Sequence, residues 1–271
     1  MSLLAIPYPT IDPVALQLGP IAVKWYGLAY MAGLLLGWAY IKRLIEHARL
    51  WPNNNAPFDA LKVDDLLLFM TLGVVLGGRL GFVLLYEPAH YVAHPLEILQ
   101  VWRGGMSFHG ALVGCALAAL VFARRHDIVP WSVMDACAAA VPIGLLFGRV
   151  ANFINSELWG RPASVPWAMV FPDGGTAPRH PSQLYEAALE GLALFVLLRW
   201  LAHSRHALKA PGRVAGVFLI GYAVARTFCE VFRAPYEGHL LNLGPLTAGM
   251  VYSIPMLLLG LWLVWSARAE A

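Results

Sequence analysis

Charge is scarce in this chain. Asp, Glu, Lys and Arg make up 13% of its 271 residues, whereas a water-soluble domain of this size needs about a quarter to cover its surface. That shortfall argues against an ordinary soluble enzyme and for a chain that lives in lipid. Cysteine is scarce too. Cys115, Cys137 and Cys229 stand in apolar runs with no Cys-x-x-Cys spacing, which argues against a thiolate metal centre and leaves them as small buried hydrophobes. There is no His/Cys/Asp/Glu set with metal-ligand spacing, no Gly-x-Ser-x-Gly, no repeat of fixed period and no low-complexity tract. The nineteen Lys and Arg form no basic stripe, so nucleic acid is not an expected partner. The first twenty residues hold Pro7, Pro9, Pro13 and Pro20 and no basic stretch ahead of an apolar core, so their removal as a signal peptide is not expected.

What the chain has in abundance is apolar length. Its hydrophobic fraction is 59%, its mean hydropathy is +0.62, and short polar punctuation leaves no room for a separate soluble core. This predicts one integral membrane domain over 1–271, all-α and polytopic. A spanning helix needs about 20 apolar residues, and seven windows approach that length: Ile21–Ile41, Leu66–Tyr86, Met106–Ala123, Trp131–Phe147, Ser182–Leu201, Val214–Phe232 and Leu246–Trp265. Positively charged loops stay in the cytoplasm. With the N-terminus outside, the inner loops collect Lys42, Arg43, Arg49, Lys62, Arg124, Arg125, Arg199, Arg205, Lys209, Arg213 and Arg268, which favours a periplasmic N-terminus and a cytoplasmic C-terminus. The stretch 148–181, with Pro162, Pro166, Pro172, Pro178, Pro181 and the turn Asp173-Gly174-Gly175, reads as a small periplasmic cap. Trp159 and Trp167 in it, with Tyr91 and Trp102 before it, suit the membrane interface.

Ionisable groups at membrane depth cost about 2.5–3.5 kcal/mol each on insertion scales, so each needs a partner, a wet cavity or a task. Tyr222, Arg226 and Glu230 recur every four residues and line one helix face. Two readings stay open: an Arg226–Glu230 pair that satisfies itself, or an Arg226 left partly free to bind an anion while Tyr222 and Glu230 orient it. Arg149, Asn152 and Glu157 crowd one short segment ending at Gly160. A guanidinium offers a planar fork suited to phosphate, so arginines on two helices near the outer leaflet suggest a phospholipid headgroup; simple snorkelling to interfacial phosphates is the plainer alternative. His109 lies in Arg103-Gly104-Gly105-Met106-Ser107-Phe108-His109-Gly110. Its glycine flanks and its shared outer depth with Arg149 and Arg226 raise it above a merely structural histidine, and imidazole is the side chain suited to moving a proton at neutral pH. Tyr26, in Trp25-Tyr26-Gly27, is equally a belt aromatic or a site residue.

Together these segments resemble the prolipoprotein diacylglyceryl transferase family of bacterial inner-membrane enzymes. The resemblance rests on Gly148-Arg149 through Asn152, Asn155, Glu157 and Gly160, on Gly104 to Gly110, on His180-Pro181-Ser182-Gln183-Leu184-Tyr185-Glu186, and on Tyr222 with Arg226 and Glu230. With Trp25-Tyr26-Gly27 it covers nearly the whole chain. One departure is Ala111, where many members carry a second glycine after His-Gly. The resemblance implies transfer of the diacylglyceryl group of phosphatidylglycerol to the lipobox cysteine of a preprolipoprotein, with a thioether formed and glycerol phosphate released. Membrane lipids are then the surroundings and no cofactor is needed. On this reading His109 serves as base for the thiol. Arg149 and Arg226 stabilise charge growing on the phosphate, and Arg233 is an outer clamp. Asn152, Glu157, Tyr222, Glu230 and Tyr26 orient them, while Gly104, Gly110 and Gly160 give backbone room. The active site should face the periplasmic leaflet.

Two other classes stand against this. A transporter or flippase would use buried Arg/Glu pairs to move substrate without breaking a bond, and would show two halves with matching interrupted spans. A hydrolase would need a nucleophile beside a base, for which Ser107 near His109 is the local candidate.

Overall fold

The computed structural model describes residues 6–9, 11–234 and 246–268; the remaining N-terminal positions of the signal-peptide expectation lie outside these. Two short strands, β1 (Ile6–Pro7) and β2 (Val14–Leu18), are followed by β3 (Ile21–Lys24), which closes a hairpin with β2. The helices are α1 (Trp25–Glu46), α2 (Lys62–Leu85), the short α3 (Pro88–Ala93), α4 (Phe108–Arg125), α5 (Pro130–Ile154), α6 (Ser182–Glu186), α7 (Leu194–Ser204), α8 (Arg213–Glu230) and α9 (Ala248–Ser266). A π-helical turn, Ala187–Ala193, joins α6 to α7 without a break in the rod. Before α6, β4 (Met169–Val170) pairs in parallel with β1.

Each of the seven expected windows falls on a long helical segment, with edges displaced. The fourth window ended at Phe147 because Arg149 and Asn152 end the apolar run. The backbone nevertheless stays helical to Ile154, so residues 148–154 of the expected cap belong to α5 instead. The strands are too short to leave a period-two pattern. The helix ends follow ordinary rules. Asp64 and Asp65 sit in the first turn of α2, where the helix dipole favours anions. The Ser107 hydroxyl caps α4 by accepting the Gly110 N–H, and Thr247 caps α9 through the Met250 N–H.

Four helices, α1, α2, α5 and α9, are long and apolar enough to cross a membrane by length and composition. In contrast, α8 carries Arg213, Arg226 and Glu230, and the π turn divides the 182–204 rod, so composition alone does not place these with the four. Leu34, Leu35, Leu72, Leu76, Leu84, Leu258 and Trp262 face outward, an apolar surface that suits lipid contact. The chain is a multi-pass membrane protein. Between helices there is no hydrophobic drive in lipid, and close backbone approach takes its place. A Cβ added at Gly73, Gly77 or Gly81 of α2 would collide with the backbone of Gly110 or Gly114 of α4.

One large core cluster fixes how the helices alternate. Leu44 in the last turn of α1 and Leu50 just after it, Val63 and Leu66 starting α2, Phe122 and Ala123 ending α4, Val133 starting α5, Leu198 and Ala202 of α7, Leu208 ahead of α8 and Val214 starting it all belong to this cluster. The opposite end of the bundle therefore gathers the start of α1, the end of α2, the start of α4, the end of α5, α6 and the end of α8. Those are the places where Tyr26, His109, Arg149, Asn152, Tyr222, Arg226 and Glu230 stand.

Candidate active site

Three arginines meet three glutamates at that end. The Arg149 Nε lies 2.8 Å from Glu186 Oε2, and its Nη2 donates to Glu190 Oε2 at 3.3 Å. The Arg226 Nη1 donates to Glu186 Oε1 at 3.2 Å, while its Nη2 pairs with Glu230 one helical turn away. Arg233, just beyond α8, donates from Nη1 to the same Glu186 oxygen at 2.9 Å. Glu190 Oε1 accepts no hydrogen bond among the described residues and stands 3.8 Å from Arg226 Nη1. The side chains of Glu186 and Glu190 are 1% and 0% exposed, and the three arginines 15–16%. Three cations and three carboxylates leave a formally neutral cluster.

This corrects one expectation and supplies what it lacked. Arg226 is not left partly free: it is held by Glu186 and Glu230, and Arg149 is held as well. The guanidinium groups share carboxylates instead of each having its own, so α5, α6 and α8 converge on one point. Glu186 appeared in the sequence only as the end of a motif and Glu190 not at all. Residues four apart share a helix face, and Glu186 and Glu190, at the start of the π turn that begins at Ala187, both reach Arg149 and Arg226. π turns recur at functional positions. Gly191 lets this turn lie directly on the Leu146 backbone of α5.

A second layer supports the first. Asn152 Nδ2 donates to Glu157 Oε1 at 2.8 Å, and Gln183 Nε2 donates to the Glu157 carbonyl at 2.6 Å. Ser156 and Leu158, flanking Glu157, both have positive φ, +56° and +57°, a strained backbone that persists where neighbours over-determine it. Gly160 pairs with Arg233 across an antiparallel bridge. A Cβ on Gly160 would strike the His180 and Phe232 carbonyls. Both Gly160 and Gly110 were expected to give a ligand backbone room; in each case neighbouring backbone takes that space, from His180 and the segment just beyond α8 for Gly160 and from α2 for Gly110. Gly104, at φ +85° with nothing near its missing side chain, does leave space open.

In the cap, Arg179 lies 4.2 Å over the Trp159 ring and donates to the Gly174 carbonyl at 2.8 Å. Trp167 Nε1 donates to the Tyr185 hydroxyl at 2.6 Å, which lies 3.0 Å from His180 Nδ1. Burial holds the His180 imidazole below its ordinary pKa.

His109 reaches this assembly through α9. Its ring packs edge-on against Tyr252 at 4.9 Å. One turn earlier Gly249 lies against the Glu230 carboxylate, so the first turn of α9 bridges imidazole and ion cluster. Tyr252 escaped the sequence reading because a tyrosine in an apolar span looks like any belt aromatic. The Tyr26 hydroxyl is 3.0 Å from that of Tyr30, and Tyr26 lies within electrostatic reach of Glu157 and Arg149. Tyr222 lies within reach of Glu190, Arg226 and Arg149. Ser107 is 2% exposed and its oxygen is engaged as the α4 cap, which weakens its case as a nucleophile.

Such an arrangement can hold an anion between opposed forks, exchange carboxylate for phosphate as partner of the same arginines, and move a proton at its edge. The sequence profile described as prolipoprotein diacylglyceryl transferase matches residues 13–266. A phosphatidylglycerol–prolipoprotein diacylglyceryl transferase of Rhizobium meliloti (strain 1021) is 55% identical over 268 residues, covering 98% of this chain and 95% of the relative. One of the same name from Allorhizobium ampelinum is 56% identical over 270 residues, covering 98% and 94%. Another from Brucella canis is 53% identical over 269 residues, covering 98% and 95%. With a profile match over nearly its full length and relatives more than half identical to it, the chain belongs to the prolipoprotein diacylglyceryl transferase family.

Proposed function

We propose that this chain transfers the diacylglyceryl group of phosphatidylglycerol to the lipobox cysteine thiol of a preprolipoprotein, and that Arg149, Arg226 and Arg233 with Glu186, Glu190 and Glu230 form the phosphate site. The observation that carries the reading is the convergence of three guanidinium groups, from α5, from α8 and from just beyond it, on the nearly buried Glu186. In a site of low dielectric, ordered donors need no reorganisation when charge develops. The lipid phosphate enters as a monoanion and takes over guanidinium donors from carboxylate. A sulfur–carbon bond then forms as the glycerol carbon–oxygen bond breaks, and its electron pair leaves on the phosphate oxygen. The leaving group thereby becomes a phosphate monoester with a growing second charge, which the same arginines face. The thiol proton passes to His109, since a thiol with pKa about 8.5 is mostly protonated at neutral pH. The nucleophile belongs to the second substrate, so Cys115, Cys137 and Cys229, all free, have no part in the chemistry. Tyr26, Tyr222, Asn152 and Glu157 orient the arginines and headgroup, and Gly104 leaves room at the rim. No cofactor is needed.

The test is direct. Purified protein incubated with phosphatidylglycerol and a lipobox peptide should yield the diacylglyceryl adduct by mass. His109→Gln should slow its formation by about 10²–10⁴-fold, the usual worth of a positioned proton-transfer group. Movement of lipid across vesicles with no adduct would favour a transporter, and an unchanged rate in His109→Gln would remove the imidazole as base.

The same proposal sets seven spans in the bacterial inner membrane, with the N-terminus and the site toward the periplasm and the C-terminus in the cytoplasm. Its support is the alternation fixed by the core cluster, which puts the loops that carry Arg49, Lys62, Arg124, Arg125, Arg205 and Lys209 at the end away from the site. Residues from Asn155 to Pro181 then form the periplasmic cap within a single domain. A cysteine replacing the exposed Asp173, in a protein whose native thiols have been replaced, should react with an impermeant maleimide in spheroplasts; reaction only after lysis would reverse the orientation.

A further inference from the structure

Arg79 lies near the end of α2, is 5% exposed and stands outside the ion cluster. Among the described residues its partners are main-chain carbonyls and one ring. Nε donates to Ile98 at 2.9 Å, Nη1 to Gly104 at 2.6 Å and Gly105 at 3.2 Å, and Nη2 to Glu97 at 2.6 Å. The guanidinium carbon sits 5.1 Å from the Tyr91 ring centre. Four of its N–H groups are thus spent on the backbone of one loop, which argues against a role in binding substrate phosphate. A buried cation answered only by carbonyls is costly to build, and a residue whose sole task was helix packing would not need the charge.

The loop it grips is the one that carries His109 into place. Gly104 and Gly105 take φ of +85° and +75°, values that L residues rarely adopt, and this turns two successive carbonyls onto one guanidinium. A Cβ on Gly105 would meet Arg79 Nη1 and the Phe82 ring. Two residues later the Ser107 N–H donates to the Gly78 carbonyl at 2.8 Å, Ser107 caps α4, and Gly110 seats against Gly77 and Gly81. The imidazole of His109 therefore departs from a backbone pinned to α2 on both sides, with the Arg79 fork as the anchor on the loop side.

We infer that Arg79 is a positioning residue for transfer: it holds the 97–105 loop in the one conformation that presents His109 to the site. This inference rests on the transferase reading and on His109 as its base. Lys in its place has a point charge and no planar fork, so it keeps the cation yet cannot span four carbonyls. A small misplacement of a reacting group costs about 10²-fold in rate.

The experiment compares wild type, R79K and R79A with phosphatidylglycerol in mixed micelles and a lipobox peptide, alongside amide hydrogen exchange by mass spectrometry. In R79K, kcat should fall about 10–100-fold with KM for either substrate within about threefold. Exchange should quicken in residues 97–107 and stay at wild-type rates in α5 and α8. Added guanidinium ion should restore part of the R79A activity. An R79K enzyme with wild-type kcat would overturn the inference. So would a slow R79K with unchanged exchange in 97–107, or exchange rising alike through α4, α5 and α8, which would mark Arg79 as part of general stability. Wild-type protein that makes no adduct would overturn the transferase reading, and this role with it; a turning-over wild type beside an unaffected R79K would overturn the Arg79 role alone.

Discussion

Arg226→Ala should lower kcat/KM for diacylglyceryl transfer by about 10³-fold or more, since a single oxyanion-type donor is worth about 10²–10³ and an arginine facing phosphoryl charge about 10³–10⁵. Arg226 is held by carboxylates from two different helices, donating to Glu186 of α6 and to Glu230 of α8. Removing it deletes a fork and leaves the cluster one negative charge in excess, so the remaining carboxylates would repel the substrate phosphate. Arg226→Lys should recover little, because an ammonium cannot offer two parallel donors. Loss of folding could mimic loss of catalysis, and the double variant Arg226→Ala/Glu230→Ala separates them. It restores neutrality, so it should insert and melt near the wild type while remaining inactive. Wild-type turnover in Arg226→Ala, measured as adduct mass against time, would contradict the phosphate role.

Glu186→Gln should be the most damaging change to stability. Its carboxylate receives Arg149, Arg226 and Arg233, and removing one side of a buried ion pair costs about 3–5 kcal/mol. Here one substitution uncouples three cations and leaves a net positive charge at nearly buried depth. The thermal midpoint should drop, and the segment just beyond α8 should loosen from α6 because Arg233 loses its side-chain partner. Combining it with Arg233→Gln removes the excess cation and should recover a large part of the loss, the non-additivity expected of residues in one network. If Glu186→Gln melts with the wild type, and the double variant shows the simple sum, then the carboxylates are bystanders.

Much of the fold is legible from hydropathy because lipid imposes it: a helix that must satisfy its own backbone and present an apolar face leaves long runs, and all seven runs are helical. The edges are not legible where function intrudes. Arg149 and Asn152 end the fourth run seven residues before α5 ends, since a polar side chain looks the same in a loop and in a helix facing a site. Tyr222, Arg226 and Glu230 were readable as one face by their four-residue spacing. What they face was not, for Glu186 and Glu190 come from a different rod, at the start of a π turn. Gly110 and Gly160 stood out as glycines in a site motif, yet their reason is close packing, and the sequence carries no mark that tells an approaching ligand from an approaching helix. In the sequence Arg79 is only a charge inside the second apolar window, Leu66–Tyr86. That its partners are carbonyls follows from a loop conformation set by two left-handed glycines.

The central claim is that substrate phosphate replaces carboxylate at arginines already gathered in one place. The most direct measurement is a cryo-electron-microscopy structure of the protein in nanodiscs of phosphatidylglycerol. The account predicts a lipid phosphate within hydrogen-bond distance, about 3 Å, of both Arg149 and Arg226, with at least one of their carboxylate contacts lengthened and His109 on the side of the glycerol carbon. A headgroup bound elsewhere, with Arg149 still on Glu186 and Arg226 still on Glu230, would contradict it.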